Sequence, residues 1–144
     1  MRLLISEVLQ KVSNAKTKQE KIKLFHEHNS DALRAIMIWN FDESVVSLLP
    51  EGEVPYTVND APKGTEHTML EKEYRLLHNF IKGGNDGLNK TRREMLFIQM
   101  IEGLHQEEAE LLILIKDGRL QEKYRITKNV VQEAFPQIKW GGRS

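Results

Sequence analysis

The sequence contains no cysteine. This absence excludes thiol catalysis, thiolate metal sites and a disulfide framework, and it fits a reducing compartment. An excess of charge of either sign is also missing, because 21 lysines and arginines balance 21 aspartates and glutamates. Net charge therefore gives no argument for a nucleic-acid partner, and such a claim depends on where the basic residues lie.

Long apolar runs are absent as well. The apolar stretch of residues 1–12 is interrupted by charged side chains such as Glu7 and Lys11, which predicts an amphipathic helix and not a signal peptide or a membrane span. A chain of 144 residues has the size of one domain and buries about two-thirds of its unfolded surface without a metal or a disulfide. We therefore expect a single domain over residues 1–144 and no membrane partner.

Apolar residues recur at helical spacing in almost every part of the chain. Thr17 and Thr68 are each followed three residues later by a glutamate, the spacing of a capping box. The predicted helix starts after the first helix are Thr17, Ser30, Asp42, Thr68, Asn89 and Thr127. The segment 107–116 is apolar on nearly every side, which places it at the centre. The sequence predicts an all-α fold of about six to eight helices with residues 111–115 buried.

The one long region without a helical pattern is residues 50–68, PEGEVPYTVNDAPKGTEHT. Its three prolines and two glycines predict an extended surface loop, and the helix that starts at Asp42 is expected to end before Pro50. Loops of this length are uncommon in compact domains and tend to be functional or mobile. Residues 137–144 are predicted to form a flexible tail.

The stretch Ile115-Lys116-Asp117-Gly118-Arg119 is similar to the adenylation motif of ATP-dependent ligases, Lys-x-Asp-Gly-x-Arg, but it lacks both intervening residues. Its position favours the end of a buried helix, with Gly118 as the left-handed terminal residue and a basic last turn. We therefore do not expect a nucleotidyl transferase site here.

Other patterns that could support chemistry are incomplete. Glu102 and His105 have the Glu-x-x-His spacing of di-metal bundles, which need a second such pair and two more glutamates. His26 and His28 are two residues apart and point to different sides of a helix. No nucleophile lies beside a base, and no glycine-rich phosphate loop follows a strand. We expect no enzyme activity, no metal, no cofactor and no small-molecule substrate.

The order of segments carries a family resemblance. An apolar first helix over residues 3–12 precedes a Thr-Lys-Gln opening at 17–19, a Leu33-Arg34 helix and the long loop. The segments NKTRREMLFIQMIEGL and ITKNVVQEAFPQI follow. This order resembles the all-helical N-terminal DNA-binding domain of bacteriophage ATP-dependent DNA ligases, whose Ile-x-x-x-Val-Phe-Pro ending is similar to the last segment. The resemblance implies duplex binding through helix ends and turns against minor-groove phosphates, without base reading.

The resemblance further implies that basic residues near these turns contact the DNA, with about five to eight phosphate contacts and a strongly salt-dependent affinity. These residues are Lys90, Arg92, Arg93, Lys116, Arg119, Lys123, Arg125 and Lys128. The ligase domains commonly have a glycine before the final helix, where this chain has Lys123-Tyr124-Arg125. The alternative is that these side chains form solvated helix faces in a neutral protein.

A second likeness covers nearly the entire chain. The stretches LLISEVLQKV, FIKGG and VVQEAFP resemble an uncharacterised family of small proteins from large contractile-tailed phages, including cyanophages. This resemblance implies a stand-alone phage protein located in the host cytoplasm or the virion. The expected function is an accessory role in replication, repair or packaging through sequence-independent binding of duplex DNA. The alternative is a protein-interaction module, either a virion component or an adaptor to a phage or host protein complex, which would use the 50–68 loop and an exposed Trp140.

Overall fold

A computed structural model describes residues 3–58 and 68–142. Within these ranges the chain forms seven α-helices and two 3-10 helices, with isolated β-bridges but no strand. The α-helices are α1 (Ile5–Asn14), α2 (Lys18–Glu27), α3 (Asp31–Phe41), α4 (Leu70–Glu73), α5 (Lys90–Gly103), α6 (Gln106–Lys116) and α7 (Lys128–Ala134). The 3-10 helices are Tyr74–Phe80, which continues α4, and Leu120–Glu122. The predicted all-α fold is confirmed.

Four helix starts follow the predicted local chemistry. Thr17, Ser30, Asn89 and Thr127 each precede a helix, and each side-chain oxygen accepts a hydrogen bond from the backbone N–H three residues later. Such a cap satisfies one of the N–H groups that have no partner within the helix. These signals succeed because the residues that form the cap are adjacent in the sequence.

The helix predicted to start at Asp42 is not formed. The Asp42 carboxylate accepts hydrogen bonds from the backbone N–H and the hydroxyl of Ser44, a local turn that competes with a helix. Residues 45–49 then run without a helix, and the Leu48 N–H donates to the carbonyl of Phe80 at 2.9 Å. The backbone partners of this segment are thus supplied by a distant part of the chain.

The capping box predicted at Thr68 is also wrong. The Thr68 N–H donates to the carbonyl of Gly103 at 2.8 Å, and α4 begins at Leu70 without a side-chain cap from its neighbour Met69. The Leu70 N–H donates instead to the carboxylate of Glu108 at 3.2 Å. A buried acid from α6 replaces the local cap.

Helix α6 lies at the centre of the domain, where it packs against α1, α3 and α5. Leu111, Leu112 and Ile115 have at most 1% of their surface exposed, whereas Ile113 and Leu114, which the apolar pattern also predicts to be buried, are half-buried. Helix α7 closes the core from the other side against α2, where the rings of Phe25 and Phe135 meet edge to face with centroids 5.5 Å apart. The core therefore extends past the end of the last helix.

Glu108 is a fully buried carboxylate at the start of α6. It accepts hydrogen bonds from the N–H groups of Ile5 at 3.0 Å and Leu70 at 3.2 Å, the first residues of α1 and α4. Burial raises the pKa of the Glu108 carboxyl, whereas these backbone hydrogen bonds lower it. One side chain thus fixes the starts of two helices against a third.

The predicted loop and tail are only partly described. Residues 50–58 contain no helix or strand, and residues 59–67 lie outside the described residues. In the segment predicted as a flexible tail, Ile138 is buried and the Gly141 N–H donates to the Asp42 carboxylate at 3.0 Å. Trp140, expected to be exposed, is half-buried, and residues 143–144 lie outside the described residues.

Candidate nucleic-acid interface

Arg93 is the first predicted DNA contact that the structure corrects. Only 7% of the residue is exposed. Its guanidinium donates hydrogen bonds to the backbone carbonyls of Asn79 at 3.0 Å, Asn85 at 3.2 Å and Leu88 at 2.8 Å. Arg93 therefore organises the chain before α5, and it is not available to a phosphate.

Lys116 is corrected for the same reason. Its side chain is fully buried, and its ammonium donates to the carbonyls of Pro50 and Gly52 at 2.8 Å and to the carboxylate of Asp117 at 3.0 Å. Gly118 follows with a φ of 69°, the left-handed conformation predicted for the helix end. This part of the adenylation-like motif therefore forms the end of α6, and its lysine holds residues 50–52 against that helix end.

Arg119 and Lys123 are exposed, but both have acidic partners. The Arg119 guanidinium lies 2.7 Å from Glu51 and 3.6 Å from Glu122, and the Lys123 ammonium lies 3.3 Å from Glu110. Exposed ion pairs of this kind contribute only about 0–1 kcal/mol to stability. They nevertheless cancel the local positive charge, so neither residue offers a free cation to a phosphate.

Lys90 and Arg92 are exposed in the first turn of α5. Neither forms an ion pair with a carboxylate in the described part of the chain. Helix α5 packs against α6 and the 3-10 helix Tyr74–Phe80, whereas α7 packs against α2. The two predicted groups of contacts, near α5 and near α7, thus lie on helices that pack against different neighbours.

Arg125 and Lys128 lie beside α2, a predicted helix whose lysines are not among the predicted DNA contacts. The Lys21 ammonium on α2 donates a hydrogen bond to the backbone carbonyl of Arg125, and Lys18 on the same helix lies 2.7 Å from Glu133 of α7. We name Lys18, Lys21, Arg125 and Lys128 the α2–α7 surface. Over residues 3–58 and 68–142, no carboxylate pairs with Lys21, Arg125 or Lys128.

The backbone of the α2–α7 surface is held in place by the core. The Arg125 N–H donates to the hydroxyl of Ser13 at 2.9 Å, which ties the segment before α7 to the end of α1. The Lys128 ammonium lies 5.1 Å from the centroid of the Trp140 ring, within the range of a cation–π contact. These contacts position the cations before any partner arrives.

The sequence of α2 itself indicates its surface lysines. Helix α2 carries Lys18, Lys21 and Lys23, and Phe25 is its only buried residue. A helix that is polar on most sides presents its charges to solvent or to a partner. Counting basic residues on each predicted helix, and not only near the turns, would have included Lys18 and Lys21.

The metal-like patterns have structural partners. The Glu102 carboxylate accepts a hydrogen bond from the Thr57 N–H at 2.7 Å, and His105 caps α6 by accepting from the Glu107 N–H. The His26 imidazole is 2.7 Å from the carbonyl of Ala134. Among the described residues, no group of three or more histidines, aspartates or glutamates could hold a metal ion. The same residues include no helix long and apolar enough to cross a bilayer.

The fold and the surface define a small all-α protein with unpaired basic side chains where α2 meets α7. The chain belongs to DUF6433, a family of unknown function, whose match covers residues 8–122. The matched range includes Lys18 and Lys21 and ends before Arg125 and Lys128. No curated protein and no solved structure matches the chain. The resemblance to ligase DNA-binding domains and to phage proteins therefore stays a prediction.

Proposed function

We propose that the protein binds duplex DNA through the phosphate backbone, without base recognition or catalysis, as an accessory protein in replication, repair or packaging. The observation that carries this proposal is the hydrogen bond from the Lys21 ammonium to the backbone carbonyl of Arg125, which makes neighbours of two basic residues from separate elements. Lys128 follows Arg125 by three residues and has no acidic partner in the described chain. A local excess of positive charge thus exists in a neutral protein.

The chemistry of this surface suits phosphates better than bases. Lysine and arginine on a fixed backbone neutralise phosphates whatever the base sequence, and such contacts set affinity and not specificity. The hydrogen bond from Arg125 to Ser13 restrains the chain beside the surface, which reduces the ordering cost of binding. We expect equal affinity for duplexes of different sequence.

The proposed contact is smaller than the resemblance implies. Arg93 and Lys116 are buried, and Arg119 and Lys123 are paired, so they leave the set of phosphate contacts. The α2–α7 surface offers about three unpaired cations in place of about five to eight contacts, and weaker binding follows. Lys90 and Arg92 are kept as candidates for additional contacts on α5.

Fluorescence anisotropy with labelled nicked and intact duplexes at low salt tests the proposal. The variant Lys21→Gln with Arg125→Gln removes two cations from the surface, and we expect it to lose about tenfold or more in affinity. The variant Lys72→Gln with Lys82→Gln removes two exposed cations elsewhere and serves as the charge-matched control. It is expected to bind almost as well as the wild type.

Each contrary result has a defined meaning. Failure of the wild-type protein to bind either duplex at low salt, where electrostatic attraction is strongest, would refute the DNA role. An equal loss in both double variants would show that only net charge matters. A loss confined to Lys90→Gln with Arg92→Gln would retain DNA binding but move the interface to α5.

A further inference from the structure

An apolar groove lies between α3 and the 3-10 helix Tyr74–Phe80, on elements that the α2–α7 surface does not use. Its volume is about 270 Å³. The apolar walls include Ala35, Ile38, Trp39, Tyr74, Leu77 and Ile81. Pockets that hold drug-sized ligands measure about 300–1,000 Å³, so this groove fits a bulky side chain better than a whole small molecule.

The rim of the groove carries one cation, Arg75. Arg75 and His78 line it and are exposed, and no carboxylate is among its lining residues. The Arg75 guanidinium lies 5.9 Å from the centroid of the Tyr74 ring. The Asp31 carboxylate also attracts the Arg75 guanidinium electrostatically, but Asp31 forms its ion pair with Arg34. The rim therefore complements a negatively charged partner.

Trp39, which forms part of the wall, has a buried N–H group without a hydrogen-bond partner in the described chain. The residue as a whole is only 7% exposed. An unpaired buried donor costs about 1–3 kcal/mol. Such groups are rare in native proteins and call for an explanation at the place where they occur. Trp39 lines the groove, although its indole N–H is itself buried behind the wall.

We propose that this groove binds a short segment of another protein that carries one bulky apolar side chain next to aspartate or glutamate. The apolar walls receive the anchor, and Arg75 attracts the flanking carboxylate. Buried anchors of this kind dominate the energy of peptide recognition, whereas rim charges set orientation and partner choice. Because the groove and the α2–α7 surface share no residue, this proposal goes beyond DNA binding and does not depend on it.

Selection from a displayed library of random short peptides on the wild-type protein tests the proposal. We expect enrichment of sequences with a leucine, isoleucine or aromatic residue next to aspartate or glutamate. A synthetic peptide of the enriched sequence should bind the variant Met95→Glu like the wild type, because Met95 is an exposed apolar residue on α5 outside the groove. The variant Ala35→Glu should lose at least about tenfold in affinity.

Arg75→Glu separates direct recognition from an effect on folding. Arg75 is exposed, so the charge reversal leaves the core intact, and it should weaken the acidic peptide. A second peptide with lysine in place of its acidic residues should regain affinity for this variant. Enrichment without an apolar anchor, an equal effect of Ala35→Glu and Met95→Glu, or no rescue by the lysine peptide would each overturn the proposal.

Discussion

The ammonium of Lys116 lies 3.0 Å from both carboxylate oxygens of Asp117, the next residue in the chain. The same ammonium donates to the carbonyls of Pro50 and Gly52, and the Gly52 N–H donates to the Asp117 carboxylate at 3.0 Å. The pair thus joins the end of α6 to residues 50–52. Lys116 resembles a catalytic nucleophile in sequence, but in the fold it is a buried residue that holds residues 50–52 against the end of α6.

Replacement of Lys116 by methionine is expected to lower the free energy of unfolding by about 3–5 kcal/mol, because it leaves the Asp117 carboxylate buried without its cation. Urea unfolding followed by circular dichroism measures this change. Lys123→Met is the control, since Lys123 pairs with Glu110 at an exposed position and should cost less than about 1 kcal/mol. Similar losses for both lysines would contradict the structural role of Lys116.

Adjacent arginines on α5 offer a second comparison. Arg93→Met removes the donor of three partly buried carbonyls and should lower the free energy of unfolding by about 1–3 kcal/mol. Arg92→Met changes an exposed side chain and should alter stability by less than about 0.5 kcal/mol. Thermal and urea unfolding of the two variants measure the difference. An Arg92 variant as unstable as the Arg93 variant would contradict the structural role of the Arg93 hydrogen bonds.

The success of sequence reasoning follows the range of the interactions involved. Asn89 and Thr127 are predictable as caps because each cap bonds a residue three positions away. Arg93 and Lys116 look like ordinary basic residues on helix faces, since the carbonyls that hold them are not specified by a neighbouring residue type. The acceptors of Lys116 lie 64 and 66 residues away, and no periodic pattern encodes such a distance.

The residues of the α2–α7 surface are only partly predictable from the sequence. The ligase resemblance implies Arg125 and Lys128 as contacts around the last helix, and both are free of acidic partners in the described chain. Lys21 was missed because it lies 104 residues before Arg125, and only the packing of α2 on α7 makes them neighbours. Sequence order therefore indicated half of the surface, and tertiary contact supplied the other half.

Gly84 is predicted to be the least replaceable glycine of the loop before α5. A Cβ atom at this position would lie 1.9 Å from the carbonyl oxygen of His78, so the backbone must shift. We expect Gly84→Ala to lower the free energy of unfolding by about 1–3 kcal/mol or more. Gly87 has no such close neighbour and no left-handed backbone, so Gly87→Ala should be neutral or stabilising by up to about 1 kcal/mol. Urea unfolding of both variants decides whether this difference exists.

Glu108→Gln is expected to lower the free energy of unfolding by about 1–3 kcal/mol. The two carboxylate oxygens accept separate hydrogen bonds from Ile5 and Leu70, whereas the amide of glutamine presents an NH₂ group to one of these donors. The loss should appear in urea unfolding of a protein that still folds. Unchanged stability would contradict the bridging role of the carboxylate.

The same variant reveals the titration of Glu108. Because burial raises its pKa in the folded state above the ordinary value of 4.5, the folded protein binds this proton more tightly than the unfolded chain does. The resulting stabilisation is complete below pH 4.5 and is lost as the pH rises through the folded-state pKa. The stability advantage of the wild type over Glu108→Gln should therefore decrease as the pH rises above 4.5 towards the raised pKa of the folded state. A difference that is constant or increases with pH would show that the pKa is not raised.

The salt dependence of duplex binding distinguishes a small interface from the larger one that the ligase resemblance implies. Each phosphate contact contributes a slope of about −0.9 to the plot of log Kobs against log salt concentration, so three contacts from Lys21, Arg125 and Lys128 predict about −2.7. Removal of the Lys21 and Arg125 charges should reduce the slope to about −0.9, whereas Lys72→Gln with Lys82→Gln should leave it unchanged. Anisotropy titrations over a series of salt concentrations provide these slopes. A wild-type slope near −5 or steeper would require contacts beyond the α2–α7 surface, beginning with Lys90 and Arg92.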